Sequence, residues 1–495
     1  MSLPLSSLLL AAGLPISGQD DTSIDAITAD SRTVRPGTLF AALPGVKMDG
    51  RDYIAQAVEH GAVAILAPLG TQWPQGVPAR PLVLAARPRH ALAVMAASLA
   101  GPQPPCLVAV TGTNGKTSTT DFVRQIWTMQ GRKAAAIGTL GLTGLEDMGP
   151  GAASIAMPHL TTPDPVALAN GLAALERLGV HHVALEASSH GIAQERLDGL
   201  ALKAAAFTNL TRDHLDYHGT VDAYRQAKLD LFRTLLPEGA VAVANADMDP
   251  TTLEAIKDIA RARGLRLRLV GENGTTLRLV GQRALPVGQE LSVECNGSLL
   301  NVSLSLPGRF QADNALLAAC LAAEDEADLP AILGLLPVLQ GVRGRMERAA
   351  VLPGGACAYV DYAHTPDALA RLLASLRPHA RGKLVVVFGA GGDRDRGKRP
   401  LMGQEALRGA DIAIITDDNP RSENPAAIRA DIWAGAPSAL EIADRRTAIA
   451  EALSLLGPDD VLVVAGKGHE QGQVIGTETL PFDDVEVIRT LVGQA

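Results

Sequence analysis

The segment Thr111-Gly112-Thr113-Asn114-Gly115-Lys116-Thr117-Ser118 constrains this chain more than any other. It follows a short apolar run at 107–110 that reads as a buried parallel strand, and it precedes a helical stretch reaching Gln130. A strand, a glycine turn and a helix in that order aim backbone N–H groups and the positive end of a helix dipole at one point, which suits the phosphates of a nucleotide. Lys116 reaches toward the terminal phosphates and Thr117 is placed to hold Mg²⁺. The general pattern G-x-x-x-x-G-K-[ST] asks for glycine at 110, where Val110 stands, so the loop is a shorter variant. The bland alternative is a helix-capping turn with an exposed lysine. Strand, turn and helix standing in the required order favour nucleotide binding.

Two breaks in the chain frame this loop. Gly101-Pro102-Gln103-Pro104-Pro105 is a stiff linker that no helix tolerates, and a softer break passes through Pro337, Gly341 and Gly344. The expected domains are 1–103, 104–341 and 342–495, in keeping with roughly 150 residues per domain. The two later segments alternate apolar strands, for example 183–185, 384–388, 412–415 and 461–464, with helical stretches. That is the pattern of parallel sheets covered by helices, in which ligands gather at the carboxyl ends of the strands. Polar clusters at 389–399, 416–421 and 466–470 fall at those ends, so one edge of the last domain is expected to be a binding face. Residues 3–15 are apolar but have no preceding Lys or Arg and are too short for a bilayer, so they read as the first helix of a folded domain.

Composition removes several function classes. Lys+Arg number 44 against 53 Asp+Glu, a net charge of −9, which gives no basic field for nucleic acid or anionic lipid. Aromatics at 3% leave no stacking platform for single strands. No apolar run of about 18 residues occurs, so no membrane insertion is expected. Cys106, Cys295, Cys320 and Cys357 form no CxxC pair, which argues against structural zinc and suits the reducing cytoplasm.

Further candidates stand at two more strand ends: Glu186-Ala-Ser-Ser-His190 after 183–185, and Thr208 to Asp216 after an alanine-rich run. A carboxylate and an imidazole beside a phosphate loop are donors for one or two Mg²⁺ ions. Each alone reads as a cap or a surface histidine; their shared strand-end position singles out Glu186 and His214.

These segments, with Gly344-Arg-Met-Glu347, Asp361-Tyr-Ala-His-Thr-Pro366 and Gly466-Lys-Gly-His-Glu470, resemble over nearly the whole chain the Mur ligases, ATP-dependent amide ligases of peptidoglycan precursor synthesis. The resemblance implies an α/β fold of three domains: a smaller N-terminal α/β domain binding the UDP-sugar, a central P-loop-type parallel-sheet ATPase domain, and a C-terminal Rossmann-like domain binding an amino acid. It implies a cytoplasmic, ADP-forming ligase serving cell wall biogenesis, cell shape and division, with UDP-N-acetylmuramoyl-L-alanyl-D-glutamate, ATP and meso-diaminopimelate as substrates, and a monomer.

The site residues follow from the same resemblance. Gly112 to Ser118, with Asn314, Arg345 and Asp361, would bind ATP. Lys116, Glu186, His214 and Lys228 would be catalytic, with Mg²⁺ held by Thr117, Glu186, His214 and Lys228, the last as a carbamate. Asp30-Ser31-Arg32 and the loop 46–51 match uridine positions, and Thr161, Thr162, Ser188, Gln194 and Arg196 match positions contacting the muramoyl dipeptide. Arg394, Asp418, Asn419, Pro420, Arg421, Gly466 and Glu470 would hold the diaminopimelate. Two departures stand out: Val46-Lys47-Met48 replaces the His-Gln-Ala of some members, and Leu160 replaces an Asn that commonly precedes the threonine pair. Because the phosphate loop and the amino-acid residues fall in different domains, a closure around residues 335–345 is expected.

Rival readings differ in class. A switch GTPase or P-loop motor would show a guanine-reading Asn-Lys-x-Asp or a hydrolytic switch, and neither occurs. A non-catalytic binding protein would not need Glu186, His214 and Lys228 together. A lysine-adding ligase lacks the arginine of Asp418-Asn-Pro-Arg421, and a folylpolyglutamate synthetase leaves the first 100 or so residues unexplained.

Overall fold

The computed structural model of the chain describes residues 2–16, 21–45, 48–145, 155, 157–158 and 160–493. It divides into two compact units, residues 1–269 with 320–322, and residues 270–319 with 323–495. The linkers lead to an expectation of three domains, 1–103, 104–341 and 342–495; the boundary between the two compact units falls in the strand Arg266–Gly271.

Among the described residues the first unit carries two larger sheets and one two-stranded pair. The N-terminal one is parallel, in the order Ala26–Thr28, Thr38–Ala41, Ala62–Pro68, Leu82–Ala85. The apolar stretch expected as one helix over 3–15 is helical only at Leu5–Ala11, with Leu3–Pro4 paired antiparallel to Ser23–Ile24. Pro4 stands at the helix N-cap and Gly13, at φ +64°, follows the end, so the chain's own breakers shorten it.

In the larger sheet Cys106–Thr111 is central, flanked by Leu202–Phe207 and His182–Glu186, with Val241–Asn245 beyond the first and Ala134–Gly138 beyond the second, all parallel. Leu107 to Val110 are almost fully buried, which is why they read as a continuous apolar run rather than an alternation. The register pairs Glu186 with Val110 and Phe207 with Thr111, so three strands end side by side. The short strand Gly141–Thr143 adds antiparallel to Ala134–Gly138.

The second unit holds a feature that the expectation of purely parallel sheets missed. Leu277–Ala284, Gln289–Cys295 and Ser298–Leu304 form an antiparallel meander. Its second turn is Asn296-Gly297, with φ of +50° and +74°, the two-residue hairpin turn this dipeptide favours. The C-terminal sheet runs Glu347–Val351, Cys357–Asp361, Val461–Ala465, Leu384–Phe388, Ile412–Ile415, Leu440–Glu441, parallel except for its first strand. Asp361 pairs with Ala465 and Phe388 with Ile415, so the loops at 389–399, 416–421 and 466–470 leave from one edge, as expected. Among the described residues no helix is long and apolar enough to cross a membrane, and no disulfide forms.

Candidate active site

The phosphate loop of the first unit is set by two glycines and a neighbouring strand end. Gly112 has φ +144°, and a Cβ on it would lie 1.9 Å from Thr208 Oγ1, so no side chain fits. Gly115, at φ +84°, opens the helix Lys116–Met129. Segment 208–211 braces the loop: Asn209 accepts from Asn114 N through Oδ1 (3.0 Å) and from Thr113 N through its carbonyl (2.9 Å), while Thr211 N donates to Thr113 Oγ1 (3.0 Å). Lys116 folds over the loop, its Nζ donating to the carbonyls of Gly112 and Thr113, each at 2.9 Å.

Lys228, on the helix Val221–Asp230, is only 1% exposed. Its Nζ donates to the Gly112 carbonyl at 2.8 Å and lies 4.5 Å from the centre of the Tyr224 ring. Burial first, then the charge of Lys116, pushes its amine well below the ordinary lysine value. Lys228 thus touches the phosphate loop itself, which no surface lysine would do.

Glu186 is 2% exposed at its strand end. Its Oε1 accepts from Thr139 N at 2.8 Å and its Oε2 from Thr139 Oγ1 at 3.3 Å. Thr139 bridges on to Thr161 Oγ1 (3.1 Å), and Thr162 Oγ1 donates to the Glu186 carbonyl (2.8 Å) while accepting from Ser188 N (2.9 Å). Arg196 donates to the Thr162 carbonyl (2.7 Å) and to Gln194 Oε1 (2.7 Å). The structure therefore joins Glu186, Thr161, Thr162, Ser188, Gln194 and Arg196 into one hydrogen-bonded group.

His214 takes a left-handed backbone (φ +51°) and is half exposed, its ring 5.0 Å from that of His190 and 6.0 Å from that of Tyr224. Burial and the neighbouring His214 and His218 push His190 below the usual histidine value. Among the described residues no three His, Cys, Asp or Glu side chains gather as a metal site. Asp30 and Arg32 pair with each other at the surface, and Ser31 Oγ donates to Gln56 Oε1 at 3.2 Å. Val46 and Lys47 lie outside the described residues.

In the second unit, Asp361 accepts from Met346 N (2.7 Å) and Ala363 N (2.9 Å). Burial raises its carboxyl, and Arg345 pulls it down. The Arg345 guanidinium sits 4.6 Å over the Tyr362 ring, and Asn314, buried, donates to Gln311 Oε1 at 3.3 Å. Asn314, Arg345 and Asp361 are thus linked, through Gln311 Nε2 donating to the Arg345 carbonyl at 3.4 Å and Arg345's neighbour Met346.

The three C-terminal loops interlock. Arg421 Nη1 donates to the Gly392 carbonyl (2.8 Å), Gly392 N donates to the Asn419 carbonyl (2.9 Å), and Asn419 Nδ2 donates to Glu470 Oε2 (2.7 Å). A Cβ on Gly391 would meet Arg421 Nη1 at 2.7 Å, one on Gly392 the Pro420 carbonyl at 1.9 Å, and one on Gly466 Asp418 Oδ2 at 2.4 Å, so the loops approach as closely as glycine allows. Arg394 is exposed on the same edge, and its charge reaches Tyr362 and Lys398.

Sequence reasoning passed over the groups beneath this edge. Arg399 pairs with Glu423 (2.9 Å), which also accepts from Asp393 N (2.6 Å), and the fully buried Arg445 pairs with Asp484 (2.8 Å) and donates to the Ala465 carbonyl (3.0 Å). Glu423 is held down to about 2 by Arg399 and the Asp393 amide. No motif marks them; for Arg399, Arg445 and Asp484 the signal is a charge whose helical neighbours three and four positions on are small or apolar, while Glu423 lies in a loop.

Comparison with known proteins covers all parts of the chain. Family models match at residues 23–98 (Mur ligase family, catalytic domain), 110–322 (Mur ligase middle domain) and 344–468 (Mur ligase, glutamate ligase domain). The chain is 53% identical over 477 residues, 96% of each, to the UDP-N-acetylmuramoyl-L-alanyl-D-glutamate--2,6-diaminopimelate ligase of Caulobacter vibrioides. A solved structure of a ligase of the same name superposes with a TM-score of 0.73 at 33% identity, covering 100% of this chain and 99% of that one. A Mycobacterium tuberculosis folylpolyglutamate synthase shares the fold (TM-score 0.63) at 19% identity over 82% of this chain and 95% of that one.

Proposed function

The chain belongs to the Mur ligase family, and from that premise we propose that it joins meso-diaminopimelate to UDP-N-acetylmuramoyl-L-alanyl-D-glutamate, converting ATP to ADP and phosphate. The observation that carries the choice of amino acid is the interlocked edge of Arg421, Asn419, Asp418 and Glu470. It offers a guanidinium for a carboxylate and carboxylates for an ammonium. Meso-diaminopimelate carries such a pair at its far end, whereas lysine has no second carboxylate for Arg421.

In this reading the γ-carboxylate of the D-glutamyl residue attacks the γ-phosphorus of ATP, ADP leaves, and an acyl phosphate forms. The amine, having lost its extra proton, then attacks the acyl carbon, phosphate departs, and an amide remains. Two anions meet in the first step, so the protein's part is positioning and screening. Lys116 and the loop amides of 112–118 take the phosphates; Arg345, Asp361 and Asn314 take the adenosine. Ser31 takes the uridine end, and Thr161, Thr162, Ser188, Gln194 and Arg196 hold the dipeptide. Gly466 and Pro420 shape the amino-acid site beside Arg394.

Mg²⁺ fits the donors present: the buried Glu186 carboxylate, the Thr117 hydroxyl, His214, and Lys228 once CO₂ has added to its neutral amine with loss of one proton. With so few carboxylates, the rest of the coordination falls to phosphate and water. The ion supplies charge neutralisation at the phosphates when bound. Burial and repulsion from Lys116 favour the neutral amine of Lys228, which supports the carbamate, since an ammonium cannot react with CO₂.

The test is phosphate release with ATP, the UDP-dipeptide, and meso-diaminopimelate and L-lysine in competition. Diaminopimelate should be taken, and Arg421→Ala should cut its use by roughly two orders of magnitude or more while lysine changes little. Preferential lysine incorporation, or an Arg421→Ala enzyme with undiminished diaminopimelate use, overturns the assignment.

A further inference from the structure

Lys467 has no role in the reading above, yet its side chain is 0% exposed, where lysines almost never lie unless paired. Its Nζ donates to Asn419 Oδ1 and to the Gly472 carbonyl, each at 2.9 Å, and stands 3.8 Å from Asp418 Oδ1. All three are acceptors, the environment that suits a donor-only ammonium.

This contact decides which way the Asn419 amide faces. Oδ1 accepts from Lys467 and from Val474 N (2.9 Å), so Nδ2 is turned to donate to Glu470 Oε2. A flipped amide would point its NH₂ at two donors. Glu470 is therefore held by one oxygen, with the other left to a ligand.

The Gly472 contact fixes a second element. The hairpin Gly472–Ile475/Glu478–Pro481 grips the Asp418–Arg421 loop: Gln473 Nε2 donates to the Asp418 carbonyl (2.7 Å), Arg421 N to the Val474 carbonyl (3.0 Å), and Gly476 N to the Arg421 carbonyl (2.7 Å). Arg421 itself sits at φ +51°, a backbone that an arginine rarely adopts without such support.

We propose that Lys467 is the positioning residue of the amino-acid site: through Asn419 it aims Glu470, and through Gly472 it anchors the hairpin that holds Arg421. The two groups that grip a diamino dicarboxylic acid then keep one fixed relation. The proposal rests on the diaminopimelate reading for the identity of that acid.

Lys467 also shapes the charge of Glu470, which is faced by Asp418, Lys467, Arg421, Arg445 and the Tyr362 hydroxyl. Burial and Asp418 raise the Glu470 carboxyl; the Asn419 bond, Lys467 and Arg421 lower it. Without the Lys467 cation Glu470 takes its proton at a higher pH and loses its hold on an ammonium there.

The experiment is steady-state kinetics of the full chain and of Lys467→Met from about pH 5.5 to 9. The KM for meso-diaminopimelate should rise roughly tenfold, with those for ATP and the UDP-dipeptide unchanged. The pH below which that KM climbs should move upward. An unchanged KM and pH profile in folded Lys467→Met overturns the proposal, as does an equal rise in all three KM values. Should Lys467→Met fail to fold, Asn419→Asp removes the donor to Glu470 and leaves Lys467 in place; it must show the same upward shift, and a wild-type profile overturns the proposal. If the wild-type enzyme prefers lysine, the amino-acid assignment fails separately, and the KM for lysine then reports on Lys467.

Discussion

Lys116 and Lys228 converge on one carbonyl, that of Gly112, from two helices, and burial gives them different chemistry. Lys116 lies half-buried at the start of the helix Lys116–Met129, where its side chain can reach a phosphate. Removing it takes away a charge that matters most as phosphate charge develops, so Lys116→Ala should lower kcat by roughly two orders of magnitude or more with the thermal melt unchanged. Near-normal turnover in a folded variant would sink the phosphate assignment. Lys228 is buried against a second cation, and both effects lower its amine well below the ordinary lysine value, the direction that carbamylation needs. Lys228→Ala should be almost inactive and regain part of its activity with a short carboxylic acid, since the missing group is an anion; wild-type activity without rescue would contradict the carbamate. Lys116 was legible in the sequence because a glycine turn before a lysine has few other uses. For Lys228 the residues around it read as an ordinary helix surface, and only the family resemblance raised it, because its burial arises from packing against a loop more than 100 residues away.

At the scale of elements, registers decide what meets. Strand ends at Thr111, Glu186 and Phe207 were readable from apolar runs followed by polar residues, as were the loops after Phe388, Ile415 and Ala465. The antiparallel meander 277–304 was missed although Asn296-Gly297 announces it, because alternating strands were weighed as part of a parallel domain. One of its ties within the second unit is His379, buried, whose Nδ1 donates to the Leu285 carbonyl (2.8 Å) and whose Nε2 accepts from Gly308 N (2.9 Å). Protonation would turn that acceptor into a donor facing a donor, and burial holds the imidazole below its ordinary 6.5. A depressed value means that the unfolded chain takes the proton first. Stability from this group is full above about 6.5 and is lost as pH falls toward the lowered value. Urea melts between pH 7.5 and about 5.5 should show this loss, and His379→Phe, though less stable throughout, should show a shallower dependence. An identical pH slope in the two proteins would remove His379 from that role.

For the whole molecule the reaction demands coupling: ATP must not be spent before both the D-glutamyl carboxylate and the amine are bound. Sustained phosphate release is expected only with ATP, the UDP-dipeptide and meso-diaminopimelate together, and omission of the amine should leave at most about one turnover per enzyme, since an acyl phosphate without its acceptor blocks the site. Steady ATP hydrolysis without the amino acid would contradict the acyl-phosphate route.

By itself the sequence determined the phosphate loop, the strand-end loops and the residue types that face a carboxylate or an ammonium, because those depend on neighbours within a few positions: glycine where the backbone must turn, apolar runs where both sheet faces are covered. Only the tertiary structure decided that Lys228 touches Gly112, that Arg445 pairs with Asp484 under the loops, and that Lys467 aims Asn419 at Glu470. Each of these joins groups from separate segments, and a charge becomes structural only when folding removes it from water and leaves its partner as the remaining way to satisfy it.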